Sequence, residues 1–118
     1  MQHFIRISVV LTFALIGSLG SAQTPGGGDA GRGKKLFMED GCYFCHGQDG
    51  HRAGQAGKLA PKPIPLAAAT AYVRNPKGQM IPYSAKVLPD ADLADIWAYL
   101  RTIPDNPAPE SIPILKNW

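Results

Sequence analysis

The two cysteines of this 118-residue chain stand three positions apart, in Gly41-Cys42-Tyr43-Phe44-Cys45-His46-Gly47, and a histidine follows the second directly. Two thiols at that spacing reach the two vinyl groups on one edge of a porphyrin and form thioethers with them. The residue that follows then lies under the ring centre, where His46 can place an imidazole nitrogen on an iron. The chemistry implied is covalent attachment of one haem c, with Cys42 and Cys45 as the bonded residues and His46 as the proximal ligand.

Three plainer uses of the pair carry less. A thioredoxin-like redox dithiol wants a βαβ context, and alternating strand runs are missing here. A structural zinc site needs four ligands, and His3 and His51 do not complete one. A simple disulfide suits an exported protein, but it gives His46 no part to play.

A second axial ligand has to return from far along the chain. Met1 belongs to the leader, and Met38 lies one turn before Cys42, on the side of the attachment motif. Met80 remains, in the loop Lys77-Gly78-Gln79-Met80-Ile81-Pro82-Tyr83 rather than on a helical apolar stripe. A methionine and histidine pair raises the haem potential and leaves no open position for a substrate.

The elements that must position these residues come from punctuation and periodicity. Residues 1–22 read as a secretory signal peptide: Arg6 precedes an apolar run from Ile7 to Leu19, and Gly20-Ser21-Ala22 ends it. That run is short for a bilayer span of about 20 residues, so no membrane span is expected after cleavage. Residues 23–28 form a Pro/Gly linker, 29–104 the folded domain and 105–118 a Pro-rich, extended tail. Asp29 caps a first helix over about 30–40, closed by Gly41, with Gly33, Leu36 and Phe37 on one face. Small Gly33 lets another helix cross closely, and Phe37 is expected beside the haem edge.

Residues 47–65 are a loop without periodicity. Its Pro61 is the expected source of a carbonyl for the second ring nitrogen of His46. His51, in the same loop, is expected to face solvent. A short helix spans Leu66–Arg74 and stops at Asn75-Pro76, because a residue before proline is pushed out of the helical region. The last helix spans about 90–102, with Asp90 and Asp92 in its first turn and Leu93, Ile96, Trp97 and Leu100 in one stripe. Trp97 and Tyr99 read as packing residues.

These features together resemble a class I cytochrome c over nearly the whole of 29–104. The motif, the Met80-Ile81-Pro82-Tyr83 loop and the terminal helix Leu93-Ala94-Asp95-Ile96-Trp97-Ala98-Tyr99-Leu100 carry the likeness. It implies an all-α fold, a small bundle of about three to four helices wrapped around one haem. It also implies that the first and last helices cross, with Gly33, Phe37 and either Trp97 or Tyr99 at the contact. Two departures stand out: Ile81 separates Met80 from Pro82, and Pro89 stands where a Ser or Thr cap is usual.

The function implied is electron transfer in the periplasm, with no substrate bond made or broken and no catalytic residue. The protein would be a free carrier or the electron-accepting subunit of a periplasmic dehydrogenase or oxidase. The rival is a haem enzyme or a gas or peroxide sensor in which Met80 leaves the iron. Nucleic acid is not an expected partner: loss of Arg6 with the leader lowers the net charge from +3 to +2, and no basic stripe appears. Lys34, Lys35, Lys58, Lys62, Lys77 and Lys86 are candidates for a ring that steers an acidic partner. The tail's Ile112, Ile114, Leu115 and Trp118 would clasp the domain or meet a partner.

Overall fold

The computed structural model describes residues 27–54 and 56–116. The signal peptide, the linker up to residue 26 and Trp118 lie outside the described residues. Four helices follow one another: α1 (Ala30–Glu39), α2 (Cys42–His46), α3 (Leu66–Arg74) and α4 (Asp90–Thr102). No strand occurs among the described residues, so the all-α expectation holds.

Local chemistry sets the ends of α1. The Asp29 carboxylate accepts the Arg32 N–H at 3.0 Å, satisfying one of the free donors of the first turn. At the other end Gly41 takes φ of 75°, a left-handed conformation that a side chain would strain, and this turns the chain from α1 into α2. Pro65 and Pro89 precede α3 and α4 and have no side-chain cap to offer.

The core is built where α1 crosses α4. Gly33 packs so tightly that a Cβ there would penetrate the carbonyl of Asp95, and one on Gly28 would meet the backbone of Ala94. Packing therefore begins within the stretch expected to be linker. Phe37 is fully buried and meets Tyr99 in a tilted contact, with ring centroids 5.8 Å apart and planes at 57°. Tyr99 is thus the aromatic partner at the crossing. Trp97 serves elsewhere: its Nε1–H donates to Ile64 O at 2.6 Å and pins the segment that leads into α3. Leu93, Ile96 and Leu100 complete the buried face of α4, as their spacing predicts.

A polar clasp runs alongside. Asp95 is buried, accepts the Asp29 N–H at 2.7 Å and receives Arg32 Nε at 2.6 Å. Arg32 also pairs with Asp92. Charge-assisted bonds of this kind contribute about 1.5–3 kcal/mol each where they are screened from water. Asp95→Ala is expected to lower stability by about 2 kcal/mol, read from denaturant unfolding, because Arg32 remains partly hydrated. A variant as stable as the parent would show that apolar packing alone fixes the crossing.

The tail departs from the extended form expected of it. It contains two single 3-10 turns, Pro109–Ser111 and Pro113–Leu115. Proline opens each, because its fixed φ suits a first helical position and its missing N–H is not needed there. Ile114 stands 79% exposed. Among the described residues no helix is long and apolar enough to cross a membrane.

Candidate functional site

The Cys-x-x-Cys-His segment forms the five-residue helix α2, bracketed by Gly41 and Gly47, both at positive φ. On a helix, positions three apart face the same way, so Cys42 and Cys45 share one side. Both are free thiols, Cys42 half-buried and Cys45 exposed. Burial, with the charge of nearby Asp40, pushes the Cys42 thiol up to about 11. It is therefore neutral at physiological pH. A redox dithiol needs a thiolate, so this environment disfavours a thioredoxin-like role for Cys42. Among the described residues no three His, Cys, Asp or Glu side chains gather as a metal cluster.

His46 is buried, 8% exposed. Its Nδ1 lies 3.0 Å from Gly57 O, and since a carbonyl only accepts, the proton sits on Nδ1 and Nε2 carries the lone pair. The sequence pointed to Pro61 for this carbonyl, and the fold uses Gly57 instead. The loop doubles back early: Arg52 N–H donates to His46 O at 3.0 Å, and Leu59 and Ala60 N–H both donate to Gly50 O, at 2.8 and 3.0 Å. The chain therefore passes His46 before it reaches Pro61, which lines a surface groove with Lys58, Lys62 and Asp105.

The expectation for His51 also changes. Its side chain is only 10% exposed, with Nδ1 3.0 Å from Asp49 Oδ2 and Nε2 3.0 Å from Pro104 O. The loop folds onto the C-terminal end of α4, where Tyr99 Oη–H donates to Gln48 O at 3.2 Å, and this closes solvent off.

Met80 is half-buried and packs against the same core as Cys42 and Tyr43. Two residues not singled out from the sequence hold its loop. Tyr83 donates N–H to Val73 O at 3.1 Å and its hydroxyl to Asp40 O at 2.8 Å, tying the loop to α3 and to the turn before Cys42. Arg74 donates from Nη1 to Tyr83 O at 2.9 Å and from Nη2 to Leu88 O at 2.7 Å, and it pairs with Asp90. Two carboxylates expected only to favour the helix dipole, Asp90 and Asp92, thus each meet an arginine. Arg74 in the last turn of α3 and the tyrosine three residues after Met80 were visible in the chain, but nothing local marks them as partners.

Asp40 Oδ2 is buried without a hydrogen-bond partner. Burial first, then the charges of Asp92 and Glu39, raise its carboxyl above the usual range. An acid whose folded value is raised lowers stability once pH exceeds its unfolded value, and that cost vanishes in acid, where both states hold the proton. Asp40→Asn is therefore expected to stabilise the protein near neutral pH, with the gain fading as pH falls through the carboxylate range. Unfolding curves at several pH values check this, and a gain independent of pH would contradict it.

These donors fit haem c: two thiols on one face of α2, a buried imidazole with its Nδ1 proton already committed, and a thioether on a loop fastened to the same core. Together, fold and site define a c-type cytochrome domain. Comparison with known families matches residues 28–100 to the family described as "Cytochrome C oxidase, cbb3-type, subunit III", and the chain belongs to that family. It is an electron-transfer domain with covalently bound haem c. Comparisons with curated proteins and with solved structures gave no match.

Proposed function

We propose that this chain is a periplasmic, single-haem electron-transfer cytochrome, exported by a cleaved leader at residues 1–22. Cys42 and Cys45 would hold the porphyrin through thioethers, His46 Nε2 would be the proximal iron ligand and Met80 sulfur the distal one. When bound, haem supplies one-electron cycling between ferric and ferrous iron. The observation that carries this reading is His46 itself: a buried imidazole, at the end of the attachment motif, whose Nδ1–H is held by Gly57 O and whose Nε2 is left with its lone pair.

The chain's own residues do the rest. Gly57 O orients the imidazole and makes it a better donor. Tyr83 and Arg74 fasten the Met80 loop, which favours a ligand that stays in place through a redox cycle. The apolar core of Phe37, Leu93, Ile96 and Leu100 stiffens the scaffold that carries both segments. Lys34, Lys58, Lys62, Lys77 and Lys86 are exposed and would steer an acidic partner, whereas Lys35 is engaged 3.7 Å from Glu39. The family description names an oxidase subunit, which supports membership of an oxidase complex over free diffusion. The exposed Ile114 gives the tail an apolar contact to offer such a complex.

The test is the reactivity of the matured, reduced protein. Fast oxidation by ferricyanide, together with inertness to hydrogen peroxide, is the expected result. Rapid peroxide turnover would replace this reading with that of a haem enzyme or sensor.

A further inference from the structure

His51 joins the loop after the motif to the segment just beyond α4 through Nε2, while its Nδ1 faces a carboxylate of the loop itself. Nε2 faces Pro104 O at 3.0 Å, and Nδ1 faces Asp49 Oδ2 at 3.0 Å. Pro104 O only accepts, so Nε2 donates to it. The Asp49 carboxylate accepts the His51 backbone N–H at 3.1 Å, and the imidazole beside it together with that bond holds its carboxyl below the usual range. Around this bridge the loop is short and tightly returned. Gly50 O receives both Leu59 and Ala60 N–H, Gly50 sits against Leu100, and Arg52 Nη1 donates to Phe44 O at 3.0 Å. Within that return lies Gly57, whose carbonyl takes the His46 Nδ1–H.

We infer that His51 is a positioning residue for the proximal ligand: by tying the loop that follows the motif to Pro104, it holds the Gly57 carbonyl on His46 Nδ1–H. This rests on the proposed ligation by His46. The physical argument is one of loop closure. His46 is fixed from α2, but its acceptor comes from a loop with no helix of its own, so the acceptor's position is only as definite as the loop's anchors. Tyr99 anchors the loop's beginning through Gln48, and Gly50 anchors its end through Leu59 and Ala60. His51 adds the tie to the terminus of α4, 53 residues away in the chain. Loss of that tie frees Gly57 to drift, and His46 loses part of the hydrogen bond that strengthens it as a donor.

The experiment uses the haem-bound protein and its His51→Ala and His51→Gln variants. Proton exchange at His46 Nδ1 is followed by NMR, and the reduction potential of each variant is measured. In His51→Ala the Nδ1 proton is expected to exchange roughly tenfold faster or more, while the amides of Phe37 and Leu100 keep their protection. Glutamine can still donate to Pro104 O, so His51→Gln should return exchange towards the parent rate. Both variants remove the imidazole, so a difference between them reports the loop rather than a charge. The alanine variant should have the higher potential, because a weaker bond at Nδ1 makes His46 a poorer donor to ferric iron.

Unchanged Nδ1 exchange in His51→Ala would overturn the inference, and so would equal acceleration at Phe37 and Leu100, which would mean general loosening. If His51→Ala does not mature, Asp49→Ala removes both the carboxylate beside Nδ1 and the acceptor of the His51 backbone N–H, which loosens the seat of His51; exchange at His46 Nδ1 should then rise by a smaller factor, and no rise would overturn the inference. The parent's absorption spectrum checks His46 ligation separately, so a failure there is distinct from a failure of the His51 variants.

Discussion

Met80→Ala is expected to keep its haem, lose the sulfur-to-iron charge-transfer band and bind carbon monoxide when reduced. Thioether attachment depends on Cys42 and Cys45, which lie on α2 and make no hydrogen bond to the Met80 loop. The loop itself is held at Tyr83 and Arg74, beyond the substituted side chain, so the backbone stays closed while one iron position opens. The potential should fall, since methionine ligation favours the ferrous state. A variant that keeps the band would place the sixth ligand elsewhere, and Met38, which also packs against the core, would be the next residue to change.

Gly33→Val is the second large effect. The α1–α4 crossing leaves no room for a Cβ, because the nearest atoms belong to the Asp95 carbonyl and the Ile96 backbone rather than to a side chain that can move away. Relief requires the two helices to part, which opens the Phe37–Tyr99 contact and draws Asp29 and Arg32 away from Asp95. The expected cost is about 3 kcal/mol or more, a fall in Tm on the order of 15 °C for a domain of this size. Thermal unfolding of the haem protein reads this directly. A variant melting within a few degrees of its parent would mean the crossing is looser than the backbone positions indicate.

What could be read in the chain divides along a physical line. Helices α3 and α4 fall where proline, asparagine and apolar period placed them, because Pro65, Asn75-Pro76, Pro89 and Pro104 act locally. Gly33 was legible as a close crossing, since only a missing side chain explains a glycine inside a helical stripe. The motif announced its own chemistry. By contrast, nothing periodic distinguishes residues 47–65, and their path depends on bonds to Tyr99, Pro104 and Gly50 that a local reading does not contain. Gly57 in place of Pro61, and a shielded rather than exposed His51, follow from that. The same holds for Arg32, Arg74 and Asp95: a charged residue on a helix looks solvated until its partner on another element is known. The helical form of α2 was not read from the chain, because five residues between two glycines are too few to show an apolar period. The 3-10 turns of the tail were not legible as such, because the prolines that open them read equally well as an extended stretch.

The measurement that bears most directly on the whole account is the absorption spectrum of the oxidised, matured protein, followed by addition of carbon monoxide to its reduced form. A sulfur-to-iron charge-transfer band with no carbon monoxide binding is the predicted result, and it would establish iron held between His46 and Met80 in an electron carrier. Absence of the band with prompt carbon monoxide binding would contradict it, and would mean an open iron suited to catalysis or sensing.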